Sequence, residues 1–576
     1  MLPESGSMLA VERALRAAAR SGNRLLSAAT VRVAVHDAEA GRLLEVALRR
    51  MGARIVPASA TDQNGLAGPV DFVFADSADT VTAVARSGRT APHAGRSGSL
   101  PTTVVGLDGT LFSGRGHDAV ARIAWAAEGM RATALLAERL RSAVRDRDRA
   151  PRVAVSLVLE PKTAALALAL AGTGCEVAVF SAVAETDPEV ARELAADGRI
   201  AVFAPTATVR VADPESQRGI DAEHAAAVLD WGPEYLIDDG AHLIRLAHTE
   251  RSAALATLRA AAEETTSGVR PLREMAAAGE LRIPVIAVND ARTKTDFDNL
   301  IGTGQSCVLA IADLLDATGW CGATSGVCGA LAVANSAGAG SAPGYRGLAG
   351  THWAVVGYGP VGVGTARFAA ALGAAVTVVE RDPVRALSAL HDGFEAHCAA
   401  EALPRADVVV SATGVWHTVD AADFALLRPG TAVAVAGGID DELALDELRA
   451  AGWRRVPVGD GAAEWIAPGT DRGPLVLADG GGVNYTAAEG NPVEVMDLSF
   501  ATQIAALLRL MRGDLLPGVH ALAVEDEHAV ARAALVARGG SADPAPDRTR
   551  PGGAAQPWTV HRYRASGAGH TTRLLA

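Results

Sequence analysis

The chain has 576 residues, too many for one hydrophobic core, so two to four domains are expected. Its net charge of −13 argues against non-specific nucleic-acid binding, because neutralising phosphates requires a basic surface. Five cysteines (Cys175, Cys307, Cys321, Cys328, Cys398) lie scattered with no CxxC pair, which points to a reducing cytoplasm and away from a disulfide framework or a zinc site. No basic-then-apolar leader opens the sequence. The apolar run Thr163–Phe180 is interrupted by Gly172, Gly174 and Glu176 and reads as a buried strand–helix piece, not a membrane span.

In chain order, residues 31–60 read as strand, helix, strand, and DFVFAD at 71–76 adds a further apolar run, together an α/β unit. The stretch 86–100 reads as a loop, and 117–146 as one Ala/Arg-rich helix ending in the charged run RDRDRAPR, a domain boundary. A second α/β segment starts at RVAVSLVLEP (152–161) and alternates helix and strand as far as IPVIAVND and TKTDFDNL. The Gly/Ala/Ser-rich stretch 319–348 reads as a flexible connection or a partly helical insert. A third α/β unit runs from about 350 to 480, and the tail from 538 is rich in Gly, Pro, Ser, Asp and Arg and reads as flexible.

Of the 53 basic residues only two are lysine, Lys162 and Lys294. Arginine supplies the rest of the positive charge and cannot readily lose its proton, whereas lysine can when its surroundings lower its pKa, so each lysine becomes a candidate for chemistry. Lys294 and Asp298 in TKTDFDNL stand four apart and share a helix face, with Asn299 next to them. The same spacing marks ordinary surface ion pairs, and the scarcity of lysine argues against that reading. In THWAVVGYGPVGVGTARF, Gly357, Gly359 and Gly362 form GxGxxG between an apolar strand and an amphipathic helix, and the next strand ends in Glu380. Glycines there let the backbone approach a pyrophosphate at a helix N-terminus, and the acid takes ribose hydroxyls, which favours NAD over NADP despite Arg381 alongside. The strand ADVVVSATG ends in Thr413 and Gly414, placed to line the cofactor cleft. Two acidic segments remain, IDDGAHL with Asp238 and Asp239 at a strand end, and EETTSG with Glu263 and Glu264, which reads equally as a capping segment or turn. VVGLDGTLF (104–112) is similar to a haloacid dehalogenase phosphatase loop, but Gly106 occupies the position that loop needs for its nucleophilic Asp.

In order, IDDG, EETTSGVRPL, IPVIAVNDARTKTDFDNLIG, VVGYGPVGVG, VVERDP, SATG and VNYTAAEGNPVEVMDLSF resemble S-adenosylhomocysteine hydrolase over roughly 150–530. The resemblance implies an α/β fold with a Rossmann NAD-binding domain (345–484) and a discontinuous α/β substrate domain (151–320 with 485–530); outside it, the residues themselves give an extra N-terminal α/β domain (1–150) and a flexible C-terminal tail (538–576). It implies tightly held NAD, a small nucleoside-like substrate, a homodimer or homotetramer, a cytoplasmic setting, and no nucleic-acid or membrane partner. The implied chemistry is transient oxidation of a 3′-hydroxyl, which acidifies the C4′ hydrogen and opens elimination or hydrolysis at C5′, epimerisation or net oxidation. The implied catalytic group is Lys294 with Asp298 as base for the hydroxyl, Asp239 as base near C4′, and Glu264 on the sugar hydroxyls. Thr265, Thr266, Ser267 and Asn299 fall beside the cofactor, together with Gly357, Gly359, Gly362, Glu380, Thr413 and Gly414, and Asn484 reads the nicotinamide carboxamide. The departures are specific: the family histidine of CLHMT falls on Val158, the two polar residues after it on Glu160 and Lys162, the cysteine after FDNLYG on Thr303, and two further histidines on Gly438 and Asn491. Glu160, Lys162, Asn491 and Met496 are therefore the expected substrate-contacting set, with Lys162 meeting an anionic group or pairing with Glu160. The substrate is expected to differ from adenosylhomocysteine. The alternative is a non-catalytic NAD-binding paralogue with a partner-binding or regulatory role.

Overall fold

The computed structural model describes residues 5–57, 70–76, 100–209, 214–323, 344–437 and 441–544. Within them the chain forms three sheets. The first orders Arg54–Val56, Thr30–Ala34, Phe72–Ala75 and Thr103–Val105 in parallel, and Leu111–Ser113 closes it as an antiparallel hairpin partner. That hairpin is what VVGLDGTLF encodes: Asp108 accepts from the Thr110 amide (2.9 Å) and hydroxyl (2.8 Å) in the turn.

The second sheet is parallel throughout, in the order Gly518–His520, Pro284–Ala287, Ala260–Glu263, Tyr235–Asp238, Arg152–Ser156, Glu176–Phe180, Ile200–Phe203. Its outermost strand comes from far down the chain. The order reverses between Arg152–Ser156 and Tyr235–Asp238, and doubly wound sheets gather ligands outside the strand C-termini at such a switch. The third sheet runs Glu395–Ala396, Ala375–Val379, His352–Val356, Val408–Ser411, Ala432–Val435, Leu475–Leu477 in parallel, then Ala462–Ile466 and Arg454–Gly459 antiparallel. Its switch lies between His352–Val356 and Val408–Ser411, the strands that lead into the glycine loop and SATG.

The expected single helix over 117–146 is two, Ala119–Gly129 and Arg131–Arg145, broken at Met130 (φ −94°, ψ 67°). The break has a tertiary cause. Asp497, on the buried helix Val493–Leu510, accepts from the amides of Ala132 (3.0 Å) and Thr133 (2.8 Å) and so caps the second helix from outside. Thr163–Phe180 folds as the helix Pro161–Gly172 and the strand Glu176–Phe180, as the sequence suggests. Among the described residues one helical run, 292–318, is long and apolar enough to cross a membrane, and 67% of its apolar window is buried inside the protein, with Val308, Ile311 and Leu315 in the core. The loop expected near 86–100, most of the 319–348 stretch and the tail beyond 544 lie outside the described residues.

One core joins the first and third units. Leu15 and Ala18 of the N-terminal helix Ser5–Gly22, Val308 and Ile311 of helix Thr303–Thr318, and Val355 and Val378 of the third sheet belong to it. Arg16, itself buried, reaches Asp313 (2.6 Å) and Asp316 across this seam. Helix Thr303–Thr318 also meets helix Pro360–Ala371 at a crossing of glycines. A Cβ on Gly364 would fall 1.8 Å from the Leu300 carbonyl oxygen, and one on Gly304 would fall 2.6 Å from the Gly364 carbonyl carbon.

Candidate active site

Lys294 is buried at the end of the short helical turn Arg292–Lys294, where it caps the π-helix Thr295–Gly302. The wider turn brings residues i+4 and i+5 to the same side chain. Its Nζ lies 2.9 Å from Asp298 Oδ2, donates to Asn299 Oδ1 at 2.6 Å, and lies 3.6 Å from Glu264 Oε1. Burial would lower the Lys294 pKa, but the charges of Asp298 and Glu264 outweigh it and the net shift is upward. Lys294 therefore rests as an ammonium. The i,i+4 pair is no surface ornament: both partners are about 95 % buried.

Two adjacent strand ends of the second sheet, Tyr235–Asp238 and Ala260–Glu263, bring the carboxylates here. Glu264 accepts from Ser499 Oγ and Gln503 Nε2, and burial pushes it above the usual carboxylate range despite Lys294. Asp239 is likewise raised by burial, with Lys294 pulling the other way. Asp238 and Glu263 sit side by side on adjacent strands, both fully buried. Burial pushes Asp238 up to about 6 and raises Glu263 further, the neighbouring acids adding to it. Glu263 braces the turn, accepting from the amides of Gly240 (3.0 Å), Ala241 (2.9 Å) and Thr265 (2.9 Å). EETTSG is thus both things the sequence allowed: Thr265 caps helix Thr266–Ala277, and Glu264 enters the lysine cluster. Thr266 Oγ1 donates to Asn289 Oδ1 (3.1 Å), which also accepts from Asn299 Nδ2 (2.9 Å), and Ser267 Oγ reaches Thr265 Oγ1 (3.2 Å).

Asn491 sits between the lysine cluster and the third unit. Its Nδ2 donates to Asp298 Oδ1 (2.6 Å) and Thr303 Oγ1 (2.9 Å), and its Oδ1 accepts from Ser306 Oγ (2.6 Å) and Asn484 Nδ2 (3.3 Å). Lys162 is 2 % exposed and pairs with Glu160, Nζ to Oε2 at 2.6 Å, and donates to the Glu489 carbonyl at 2.8 Å. Glu160 also N-caps its helix through the amides of Lys162 and Thr163, and burial raises it despite the adjacent ammonium. The Glu489 carboxylate takes both terminal nitrogens of Arg115. Burial alone would raise it, but Arg115, Lys162 and Arg122 hold it below its ordinary value. Met496 packs half-buried against the core of the second unit. Gly438 lies outside the described residues. Ser499, Gln503, Asn289 and Glu489 join this site without having stood out in the sequence. The nearest signal was that Glu489 directly precedes the Gly-Asn-Pro carrying Asn491.

The third unit has the features an NAD dinucleotide needs. Gly357 has φ +94°, and a Cβ on it would fall 2.8 Å from Thr413 Cγ2. A Cβ on Gly362 would fall 2.0 Å from the Gly357 carbonyl oxygen, whereas one on Gly359 meets nothing closer than Arg385 at 3.8 Å. The loop backbone is thus bare at Gly359, the N-cap of helix Pro360–Ala371, where free amides favour an anion. Glu380 accepts from the amides of Tyr358 (2.7 Å) and Asp382 (3.0 Å). Thr413 and Gly414 are held by the buried Glu442. Among the described residues the buried Asn484 Oδ1 finds no hydrogen-bond partner, an orphaned acceptor that fits an amide donor of the cofactor.

The sheet order, the glycine loop and the strand-end acid define an NAD-binding Rossmann protein. Residues 346–490 match the family model described as S-adenosyl-L-homocysteine hydrolase, NAD binding domain. Adenosylhomocysteinase of Thermotoga maritima is 36% identical over 404 residues, 69% of this chain and 90% of that protein. The Thermococcus kodakarensis adenosylhomocysteinase is 37% identical over 395 residues, 67% and 84% of the two chains. An S-inosyl-L-homocysteine hydrolase of Methanothermobacter thermautotrophicus is 34% identical over 400 residues, 68% and 86%. The chain belongs to the adenosylhomocysteinase family, and its cofactor is NAD. It is an NAD-dependent enzyme of the hydrolase type.

Proposed function

We propose that the chain acts on a nucleoside-like substrate by transient oxidation of its 3′-hydroxyl, with a substrate other than adenosylhomocysteine. The observation that carries this reading is the buried Lys294–Asp298–Glu264 cluster, in which one ammonium faces two carboxyls. When bound, NAD would supply a hydride acceptor for the sugar carbon, regenerated within each turnover. Gly357, Gly359 and Gly362 would hold its pyrophosphate, Glu380 its ribose, Thr413 and Gly414 the cleft wall, and Asn484 its carboxamide, with Thr265, Thr266, Ser267 and Asn299 lining the nicotinamide side. Lys294 rests as an ammonium, so it first passes its proton to the raised Glu264 carboxyl and then, held by Asp298, takes the hydroxyl proton. Glu264 and Asp239, both raised, exchange protons closer to neutrality than ordinary carboxyls do. Asp239 takes the C4′ proton once the neighbouring carbon is a ketone.

Lys162 supports a changed specificity. An ammonium has three donors; Glu160 and Glu489 take two, which leaves one for an acceptor on the substrate. Lys162→Ala is expected to raise KM about tenfold, the worth of one charge-assisted hydrogen bond. It also leaves Glu160 buried without its cation, so Glu160→Gln/Lys162→Met is the better-folded companion. Steady-state kinetics with unchanged KM and kcat in both would end this assignment.

The deciding experiment incubates the purified protein, with its NAD content measured, with adenosine, S-adenosylhomocysteine, S-inosylhomocysteine and other nucleosides. Growth of the NADH absorbance and deuterium exchange at C4′ are expected with at least one of them, and weakest with S-adenosylhomocysteine. Neither signal with any nucleoside would overturn the proposal in favour of a binding role.

A further inference from the structure

The N-terminal unit has no counterpart in the motifs that define the family, yet one of its linkers reaches the active site. Residues 23–29 connect helix Ser5–Gly22 to strand Thr30–Ala34, and Asn23, Arg24 and Leu25 run against the stretch 489–494. Asn23 Nδ2 donates to the carbonyls of Glu489 (2.7 Å) and Asn491 (3.2 Å), and the Asn23 carbonyl accepts from the Val493 amide (2.9 Å). Arg24 Nε and the Leu25 amide take the two oxygens of Glu494 (2.9 and 2.8 Å). The Leu26 amide donates to Gln305 Oε1 (2.8 Å), and Gln305 returns a bond to the Arg24 carbonyl (2.9 Å). From the same unit, Arg115 clamps the Glu489 carboxylate.

The stretch so gripped carries the Asn491 amide that faces Asp298, and the Glu489 carbonyl that faces Lys162. A side-chain amide with two donors suits two converging carbonyls, and the site rules out most replacements, because Asn23 has φ +47°, a left-handed conformation that Asn and Gly tolerate and β-branched residues do not. We infer that Asn23 is a positioning residue of the active site, fixing the 489–494 backbone so that Asn491 holds Asp298 against Lys294. The inference rests on the proposed function for its kinetic reading only.

Asn23→Gly keeps the backbone conformation and removes the two donated bonds. Its expected effect is about a tenfold loss of kcat with NAD content unchanged, and no further loss when Asn491→Ala is already present. Faster amide hydrogen exchange in 489–494, with exchange in 30–57 unchanged, is the companion readout and needs no substrate. Losses that add in the double variant, or unchanged exchange in 489–494, would overturn the inference. If the parent protein turns over no nucleoside, the proposed function fails while the exchange experiment still decides the role of Asn23.

Discussion

Lys294→Ala is expected to cost between about a hundredfold and ten-thousandfold in the rate of NADH formation from a nucleoside, the range for removing a positioned proton-transfer group. Bound NAD should stay near the parent's content, because the glycine loop, Glu380 and Asn484 lie on other elements. The fold should survive, because the carboxyls left behind can relax. Glu264 is already raised by burial and keeps Ser499 and Gln503, and Asp298 keeps Asn491. Lys294→Arg should be nearly as inactive: a guanidinium preserves the charge, yet it gives up its proton far less readily and does not fit a site closed by Asn299 at 2.6 Å. Single-turnover absorbance at the NADH band measures this directly. A rate within threefold of the parent would remove Lys294 from the chemistry.

The second large effect separates two glycines of one motif. Gly362→Ala sets a methyl 2.0 Å from the Gly357 carbonyl oxygen, a clash with backbone that no rotamer relieves. Overpacking of this kind costs about 1–3 kcal/mol, so both thermal stability and bound NAD should fall. Gly359→Ala meets no protein atom nearer than 3.8 Å, so its melting temperature should match the parent's while NAD is held at least roughly tenfold more weakly. Thermal melts and NAD quantification on both variants give the comparison. If Gly359→Ala keeps its NAD, the dinucleotide does not approach the loop where the bare backbone lies.

Most of what proved informative was local in the sequence. The two lysines stood out by rarity alone, and both are buried and ion-paired. GxGxxG with its strand, helix and acid is a contiguous pattern, and the third sheet has the order that pattern implies. Illegible features depend on residues distant in the chain. The break at Met130 comes from Asp497, the outermost strand of the second sheet from Gly518–His520, and the hold on Asn491 from Asn23. The π-helical turn at Thr295 was also hidden, since a spacing of four reads the same in an α-helix. Asn491 was expected to meet substrate because it stands where the family has histidine. In the fold its side-chain amide is engaged by Asp298, Thr303, Ser306 and Asn484.

The glycine crossing of helices Thr303–Thr318 and Pro360–Ala371 bears on how far this protein can be altered. Where side chains separate two elements, changing the side chains changes the separation. Here main chain rests on main chain, Leu300 and Gly304 against Gly364, so the gap is set by peptide geometry. One helix begins at the nucleotide loop, and the other continues from the turn that holds Lys294. With the dinucleotide on that loop as proposed, its distance to the lysine would be a calibrated length, one that substitutions in the surrounding core can weaken thermally without rescaling. If Glu160 and Lys162 line the substrate pocket as proposed, they can be redrawn for new substrates and leave that gauge untouched.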